Sequence, residues 1–486
     1  MSRKTKVRGD NMDSSLSNNF AMNIKNINQA LNVEKNFDII YRVLTIAGKE
    51  ACFYVIDGLN KDDVLEKLME FFYEIKPEGM VDNAHEMSKK LMPYGEVDFL
   101  SDLDSLVHTI LSGIPVLVIE GFKRALSIDF RTYPTRSIEE PEKDKVMRGS
   151  RDGFVETIVF NTALIRRRIR NPKLTMEITS IGKSSRTDVV LCYMEDRVDE
   201  KFLTTIRKKV NDIQIDALSL NSESLAECLH VGNWFNPFPK FKYTERPDTA
   251  AASVLEGSII ILIDNSPSAM ILPTTLFEIT EEADDYYFPP ITGTYLRISR
   301  MLVNIVALFL TPIWLLLMLN PDLIPRSLEF IKINDPINVP ILYQLLILEF
   351  AIDGLKMASL NTPSMLSTPL SVVAGIVLGD FTVSSGWFNA ETMLYMAFVA
   401  IANYSQSSYE LGYALKFLRV IMLILTGVFS LWGFIAGVII TILAVVSNRT
   451  VSGGSYLYPI IPFNGKELLR RVIRIPAKQA YKQRKK

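Results

Sequence analysis

Cysteine and histidine are scarce in this chain, three of each in 486 residues. Cys52, Cys192 and Cys228 contain no CxxC pair, and so sparse and odd a set fits reduced thiols in a cytosol, not a disulfide framework. His85, His108 and His230 have no Cys or His partner at zinc-ligand spacing, and a lone Cys228/His230 pair two residues apart is more often coincidence, so neither a metal nor another cofactor is expected. Four catalytic signatures are also missing: GxxxxGK[ST], a GxGxxG behind a strand, HExxH and GxSxG. Asp264, Ser266 and Ser268 share a turn without a nearby base, which leaves no activated nucleophile. The run Arg166, Arg167, Arg168 and Arg170 could hold a phosphate, but it spreads over more than one helix face and reads as solvated and partly interfacial. An enzymatic role is therefore not expected, and a net charge of −1 gives no reason to expect nucleic acid.

Charge is lacking in one place above all. Residues 1–300 carry 38 basic and 45 acidic side chains, residues 301–446 only five and eight, and residues 447–486 ten and one. Met301 to Leu319 is a run of nineteen residues without a charge, and Val420 to Val446 a run of twenty-seven. About 20 apolar residues cross a hydrocarbon core, and a buried core helix usually stops well short of that. The longer run either spans with tilt or breaks near Trp432 and Gly433 into two helices. The chain reads as an integral membrane protein.

Weaker apolar segments lie between these anchors, at Val339 to Leu360, Pro369 to Phe381 and Thr392 to Tyr404. The first carries Glu349 and Asp353 at i and i+4 on one helical face, with Lys356 close behind. Asp380 ends PLSVVAGIVLGD, too short to span and too apolar for a surface loop, which suits a re-entrant or broken helix. Ionisable groups inside a bilayer face a bundle interior or an aqueous path, and a path lined by carboxylates favours cations. Glu349, Asp353 and Asp380 are the candidate ion-path residues, with interfacial solvation the competing reading. Glu391 and Glu410 are expected at the interface.

The basic, polar chain start lacks an apolar stretch behind it, so residues 1–36 read as a disordered cytoplasmic tail and not a signal peptide. Ten basic residues after Val446 place the other end in the cytoplasm too, where anionic lipid would attract residues 449–486. The number of crossings is then even, and four are expected, with Pro369 to Phe381 the uncertain element. The domain pattern is an α+β cytoplasmic region of two subdomains followed by an α-helical multi-pass membrane domain. Subdomain 1 covers 37–136 and subdomain 2 covers 154–296, joined by a charged linker at 137–153. The membrane domain covers 297–448. In subdomain 1 two extended segments precede a helix from Lys61 to Ile75, Ser101 is a plausible cap for a helix ending at Leu111, and a hairpin surrounds Gly121. In subdomain 2 helices are expected at 155–170, 200–211, 222–229 and 248–255, with strands LTMEITSIG, TDVVLCYME and SIIILID. The aromatic cluster NWFNPFPKF reads as packing at a domain junction more than as a docking surface.

Two junction segments, Asn233 to Thr275 with its NWFNPFP and TERPD blocks and Asp285 to Met301 with its Tyr-Tyr pair, resemble the A subunit of bacterial spore germinant receptors, the GerA type. SLNTPSMLSTPLSVVAGIVLGD and SSYELGYALKFLR resemble it as well, and the likeness runs from about Phe37 to Leu469. AIDGLKMAS and LGD, where receptor A subunits carry an Arg-Glu-Ala-Gly-like stretch and a Gly-Gln pair, bring the chain nearer to the family's stage V sporulation protein AF branch and put nutrient sensing in doubt. The resemblance implies a spore inner-membrane protein that forms a homo-oligomer around a path for monovalent cations and works with other germination membrane proteins. Trp234, Phe235, Phe238, Arg246 and Asp248, within the NWFNPFP and TERPD blocks, are candidate partner or junction contacts. A nutrient receptor A subunit or a non-conducting scaffold is the alternative, and the absence of inverted repeats argues against a secondary transporter.

Overall fold

The structure is a computed structural model that describes residues 16–17, 19–133, 149–229, 235–361, 375 and 381–475. The chain divides into two compact units: Met1–Val231 with Phe241–Pro273, and Gly232–Lys240 with Thr274–Lys486.

The first unit holds two five-stranded antiparallel sheets. Helix α1 (Phe20–Leu31) precedes strands β1 (Ile39–Ile46) and β2 (Lys49–Ile56), then α2 (Asp62–Glu74), α3 (Ala84–Lys90), β3 (Val97–Leu100), α4 (Leu103–Leu111), β4 (Val116–Ile119) and β5 (Ala125–Ile128). Ile46 pairs with Lys49 across a two-residue loop of Ala47 and Gly48, both at positive φ (49° and 88°), the geometry that suits the twist of a tight hairpin. The sheet order is β1-β2-β4-β5-β3. Ile27, Leu31, Leu106 and Ile110 of α1 and α4 bury themselves with Cys52, Tyr54 and Val118. Leu68 and Phe72 of α2 pack with Phe53 and Leu117, whose side chains point to the other face as the two-residue strand period requires.

A second copy of the same plan follows: α5 (Ile158–Arg168), β6 (Leu174–Ile181), β7 (Thr187–Met194), α6 (Glu200–Asn211), α7 (Ser222–Leu229), β8 (Lys242–Thr244), α8 (Pro247–Glu256), β9 (Ile259–Ile263) and β10 (Ala269–Leu272). Its order, β6-β7-β9-β10-β8, repeats the first strand for strand. The unit is an internal duplication that sequence reading did not detect, because the shared feature is the order of elements and not a repeated motif.

Several local expectations change. Residues expected to be a disordered tail instead form α1, whose Phe20, Ile27 and Leu31 are buried; their helical spacing gives one apolar face and that face completes the sheet. The cap of α4 is Asp102, whose carboxylate accepts from Ser105 N, and not Ser101. Arg166, expected to be solvated, is fully buried. Its Nε and Nη2 donate to the two Asp38 oxygens at 2.7 and 2.9 Å, Nη2 also reaches Asn36 Oδ1 at 3.2 Å, and Nη1 donates to the Leu174 carbonyl at 3.1 Å. Asn36 Oδ1 in turn accepts from Met176 N at 2.9 Å, so this network joins the segment just before β1 to β6, the first strand of the other repeat. Residues 134–148, most of the expected linker, lie outside the described residues.

The second unit is helical. Short helices α9 (Leu276–Ile279) and α10 (Asp284–Tyr287) lead into α11 (Pro290–Leu319), followed by α12 (Ile341–Asn361), α13 (Ala390–Tyr404), α14 (Tyr409–Val446) and α15 (Gly465–Val472). Its main segment therefore starts at Thr274, ahead of the expected boundary at 297. Among the described residues α11 and α14 are long and apolar enough to cross a membrane. Both leave large apolar side chains uncovered, among them Leu302, Ile305, Trp432 and Leu443, as a lipid-facing helix would.

α14 is not one straight rod. Ser430 has φ 51° and ψ −128°, and the chain doubles back there. Gly433 lies against the Leu425 carbonyl, and a Cβ on Gly437 would sit 2.7 Å from Met422 Cγ, so residues 409–429 and 431–446 are the two arms of a helical hairpin closed by glycine. The expected break near Trp432 and Gly433 is therefore present. Asn320, just after α11, donates to Ser430 Oγ at 2.7 Å, which puts the hairpin tip at the α11 C-terminal end of the unit.

Candidate functional site

Ionisable groups meet inside this apolar bundle. Glu349 and Asp353 lie one turn apart on α12, and Lys416 and Arg419 three residues apart on the first arm of α14, so each helix presents two charges on one face. Arg419 Nε and Nη2 donate to the two Glu349 oxygens at 2.6 and 2.9 Å, and Nη1 donates to the Ala307 carbonyl of α11. Lys416 Nζ lies 2.9 Å from the Glu349 carbonyl oxygen, 3.2 Å from Glu349 Oε2 and 2.6 Å from Asp353 Oδ2. Glu349 and Arg419 are buried, whereas the Asp353 side chain is 32% exposed. With all four ionised the cluster is neutral, which is what makes it tolerable away from water.

The structure thus brings two of the three expected ion-path carboxylates together and adds two cations that sequence reading missed. A signal was present: Lys416 and Arg419 are the only basic residues between Lys356 and Arg449, and their i,i+3 spacing matches the spacing on α12. Asp380 and most of Pro369 to Phe381 lie outside the described residues. Glu410 is exposed, but Glu391, expected at an interface, has a buried Oε2 without a hydrogen-bond partner.

The candidate junction residues divide between the units. Arg246 and Asp248 belong to the first, where Arg246 Nε and Nη2 donate to Asp248 Oδ1 and Oδ2 at 3.1 and 2.7 Å, and Nη2 also donates to the Ser150 carbonyl. This pair stands at the start of α8, with Pro247 in its first turn, and is a helix entry built into the fold. Phe238 belongs to the second unit and is buried beside Tyr456 and Leu411, while Phe235 is exposed and Trp234 lies outside the described residues. Asn236 Nδ2 donates to the Ala444 carbonyl at 2.8 Å, which packs this segment on the second arm of α14.

Residues 25–486 match the family described as Bacillus/Clostridium GerA spore germination protein. The chain belongs to the GerA family. It is 38% identical to Stage V sporulation protein AF of Bacillus subtilis over 444 residues, 90% of this chain and 89% of that protein. Spore germination protein KA of the same organism is 26% identical, over 91% of this chain and 82% of that one. The crystal structure of the N-terminal domain of the A subunit of the Bacillus megaterium spore germinant receptor GerK3 aligns with 54% of this chain and 98% of that domain, at 27% identity and a TM-score of 0.42. The structure of this GerA-family chain is an α+β region followed by helices, two of which are apolar candidate spans that suggest membrane association.

A second charged cluster surrounds the start of α11. Buried Arg297 faces Asp285 Oδ2 at 3.2 Å and donates to the Arg470 and Arg471 carbonyls at 2.9 and 3.3 Å. Arg300 pairs with Glu282 at 3.0 Å and with Asp285. Arg471 pairs with Glu278 at 2.5 Å and Glu281 at 3.2 Å, and Arg474 N donates to Thr294 Oγ1 at 3.1 Å. These basic residues of the tail are held inside the chain, so they are not free for lipid as the sequence suggested. Glu281→Lys is expected to release this clasp and to speed tryptic cleavage after Arg470, Arg471 and Arg474 several-fold; cleavage at the wild-type rate would show that the ion pairs do not hold the segment.

Among the described residues no group of three or more His, Cys, Asp or Glu could hold a metal ion. Burial pushes the thiols of Cys52 and Cys192 up to about 12, which keeps both protonated and unreactive at neutral pH.

Proposed function

We propose that this GerA-family chain is a multi-pass protein of the spore inner membrane that forms a homo-oligomer and passes monovalent cations during germination. The observation that carries this reading is the buried quartet of Glu349, Asp353, Lys416 and Arg419, since charge inside a membrane bundle marks an ion or proton route more often than a structural convenience. Partial exposure of Asp353 directs one carboxylate out of the protomer, where a neighbouring copy or an aqueous path would meet it. One bundle of this size is too small to enclose a wide pore alone, which is why assembly enters the proposal.

Two polar contacts give the directions of α12 and α13. Gln344 of α12 donates to Asn389 Oδ1, just before α13, at 2.8 Å, so α12 and α13 begin at the same end of the unit. At the opposite end Ser407, just after α13, donates to the Ile279 carbonyl at 3.1 Å. The two helices therefore run in the same direction. An even number of crossings, with both ends of the chain in the cytoplasm, belongs to the same proposal. Anionic lipid is assigned to Lys478, Lys482 and Arg484 to Lys486, which lie outside the described residues. Partnership with other germination membrane proteins, suggested by the likeness to spore germination proteins, belongs to the same proposal, and so does a non-enzymatic role.

The competing reading is a non-conducting scaffold or receptor subunit, favoured by the complete internal pairing of Glu349 and Arg419. Thallium or potassium flux into proteoliposomes holding the purified chain separates the two. Flux is expected, and Asp353→Asn and Asp380→Asn are each expected to lower it several-fold with insertion unchanged. A chain that inserts and oligomerises but passes no ion is a scaffold.

A further inference from the structure

The two cations of the quartet are held in different ways. Arg419 is fixed on all sides, by both Glu349 oxygens and by the Ala307 carbonyl, and its planar fork leaves it one geometry. Lys416 ends in a compact ammonium on a flexible stem, surrounded by three oxygens from α12: the Glu349 carbonyl, Glu349 Oε2 and Asp353 Oδ2. An all-oxygen setting that combines a backbone carbonyl with carboxylates is also what a dehydrated alkali cation requires.

Charge within the cluster divides in the same way. Glu349 is balanced by Arg419, so removal of the Lys416 ammonium leaves the single negative charge of Asp353. Lys356, the other cation on α12, does not supply the balance, because its ammonium sits over the Tyr413 and Tyr409 rings at 4.5 and 4.8 Å. A site short of one positive charge suits one monovalent ion, not a divalent one. Asp353 is also the member of the quartet with the most exposure, so the oxygens open toward the outside of the protomer on the Asp353 side.

We infer that the Lys416 ammonium occupies a monovalent-cation site formed by the Glu349 carbonyl, Glu349 Oε2 and Asp353 Oδ2, and acts as its tethered blocker. When the lysine swings away, the three oxygens take an alkali ion in its place; when it returns, the ion is displaced. This deepens the proposed conduction and rests on it for its physiological meaning, but the site itself is testable without flux.

K416C in a C228S background, purified as the full chain, provides the test. In sodium or potassium, compared with choline at equal ionic strength, K416C is expected to melt several degrees higher, whereas wild type shows no such dependence. Its thallium flux in proteoliposomes is expected to rise several-fold over wild type. Modification with 2-aminoethyl methanethiosulfonate restores an ammonium on a stem of nearly lysine length and is expected to abolish both effects, while the neutral methyl reagent is not. K416C/D353N is expected to lose the cation-dependent stabilisation. If K416C does not insert, K416Q carries the same readouts. Cation-dependent melting that the aminoethyl reagent reverses, with no flux from any variant, upholds the site and removes the conduction reading. Flux from wild type that K416C leaves unchanged, with melting indifferent to sodium and potassium, overturns the blocker and leaves the conduction reading standing.

Discussion

Arg166→Met is expected to cost the first unit about 3–5 kcal/mol, because it strands a carboxylate that has been removed from water. Asp38 is 1% exposed and Arg166 0%, so neither can recruit solvent when the other is lost. The loss would spread, since Arg166 also satisfies the Leu174 carbonyl and shares Asn36 with Met176 N. Asp38→Leu combined with Arg166→Met is expected to recover most of the loss, because apolar groups of similar volume often match a buried ion pair in stability. The chain's tryptophans, Trp234, Trp314, Trp387 and Trp432, all lie in the second unit and would not report this change. Hydrogen exchange of the β1 and β6 amides reports it directly. A single variant that loses less than about 1 kcal/mol would show that the network is relaxed or water-filled.

Gly437→Leu is expected to open the α14 hairpin. A Cβ there meets Met422 Cγ at 2.7 Å and Met422 Cα at 3.1 Å, and the backbone atom cannot move aside as a flexible side chain could. Overpacking of this kind costs about 1–3 kcal/mol when the surroundings relax and more when they do not. The melting temperature of the detergent-solubilised protein should fall, and Lys416 and Arg419 on the first arm should lose part of their alignment with α12. Gly354→Ala is the control: nothing lies within 4 Å of a Cβ there, so the same kind of change inside α12 should be neutral or stabilise by up to about 1 kcal/mol. Equal melting temperatures for Gly437→Leu and wild type would mean that the arms are not held at this contact.

Most of the secondary structure was legible because it depends on local periodicity. The strand pairs at 39–56 and 116–128, the helices at 62–74, 200–211 and 222–229, and the two apolar runs all followed from spacing and composition. β3, β8 and β10 were missed. They are three or four residues long and form because neighbouring strands offer them hydrogen bonds. The opening of the chain was misread for a related reason: a basic, polar start masks the apolar face of α1, which only the sheet beneath it makes useful.

Sequence alone determined that scarce cysteine and histidine leave little material for metal or thiol chemistry, that the charge-poor block holds runs apolar enough to cross a membrane, and that Glu349 and Asp353 share a helix face. Those conclusions depend on residue type and on separations of a few positions. Tertiary structure decided how the charges are spent. Glu349 meets Arg419 across 70 residues, and Asp38 meets Arg166 across 128. An arginine run that looks solvated by composition can hold a wholly buried member when a distant carboxylate shares its pocket, and an apparent carboxylate path can be neutralised by cations on another helix. Electrostatic energy inside a protein depends on distance in space and on the exclusion of water, and neither is written in the order of residues.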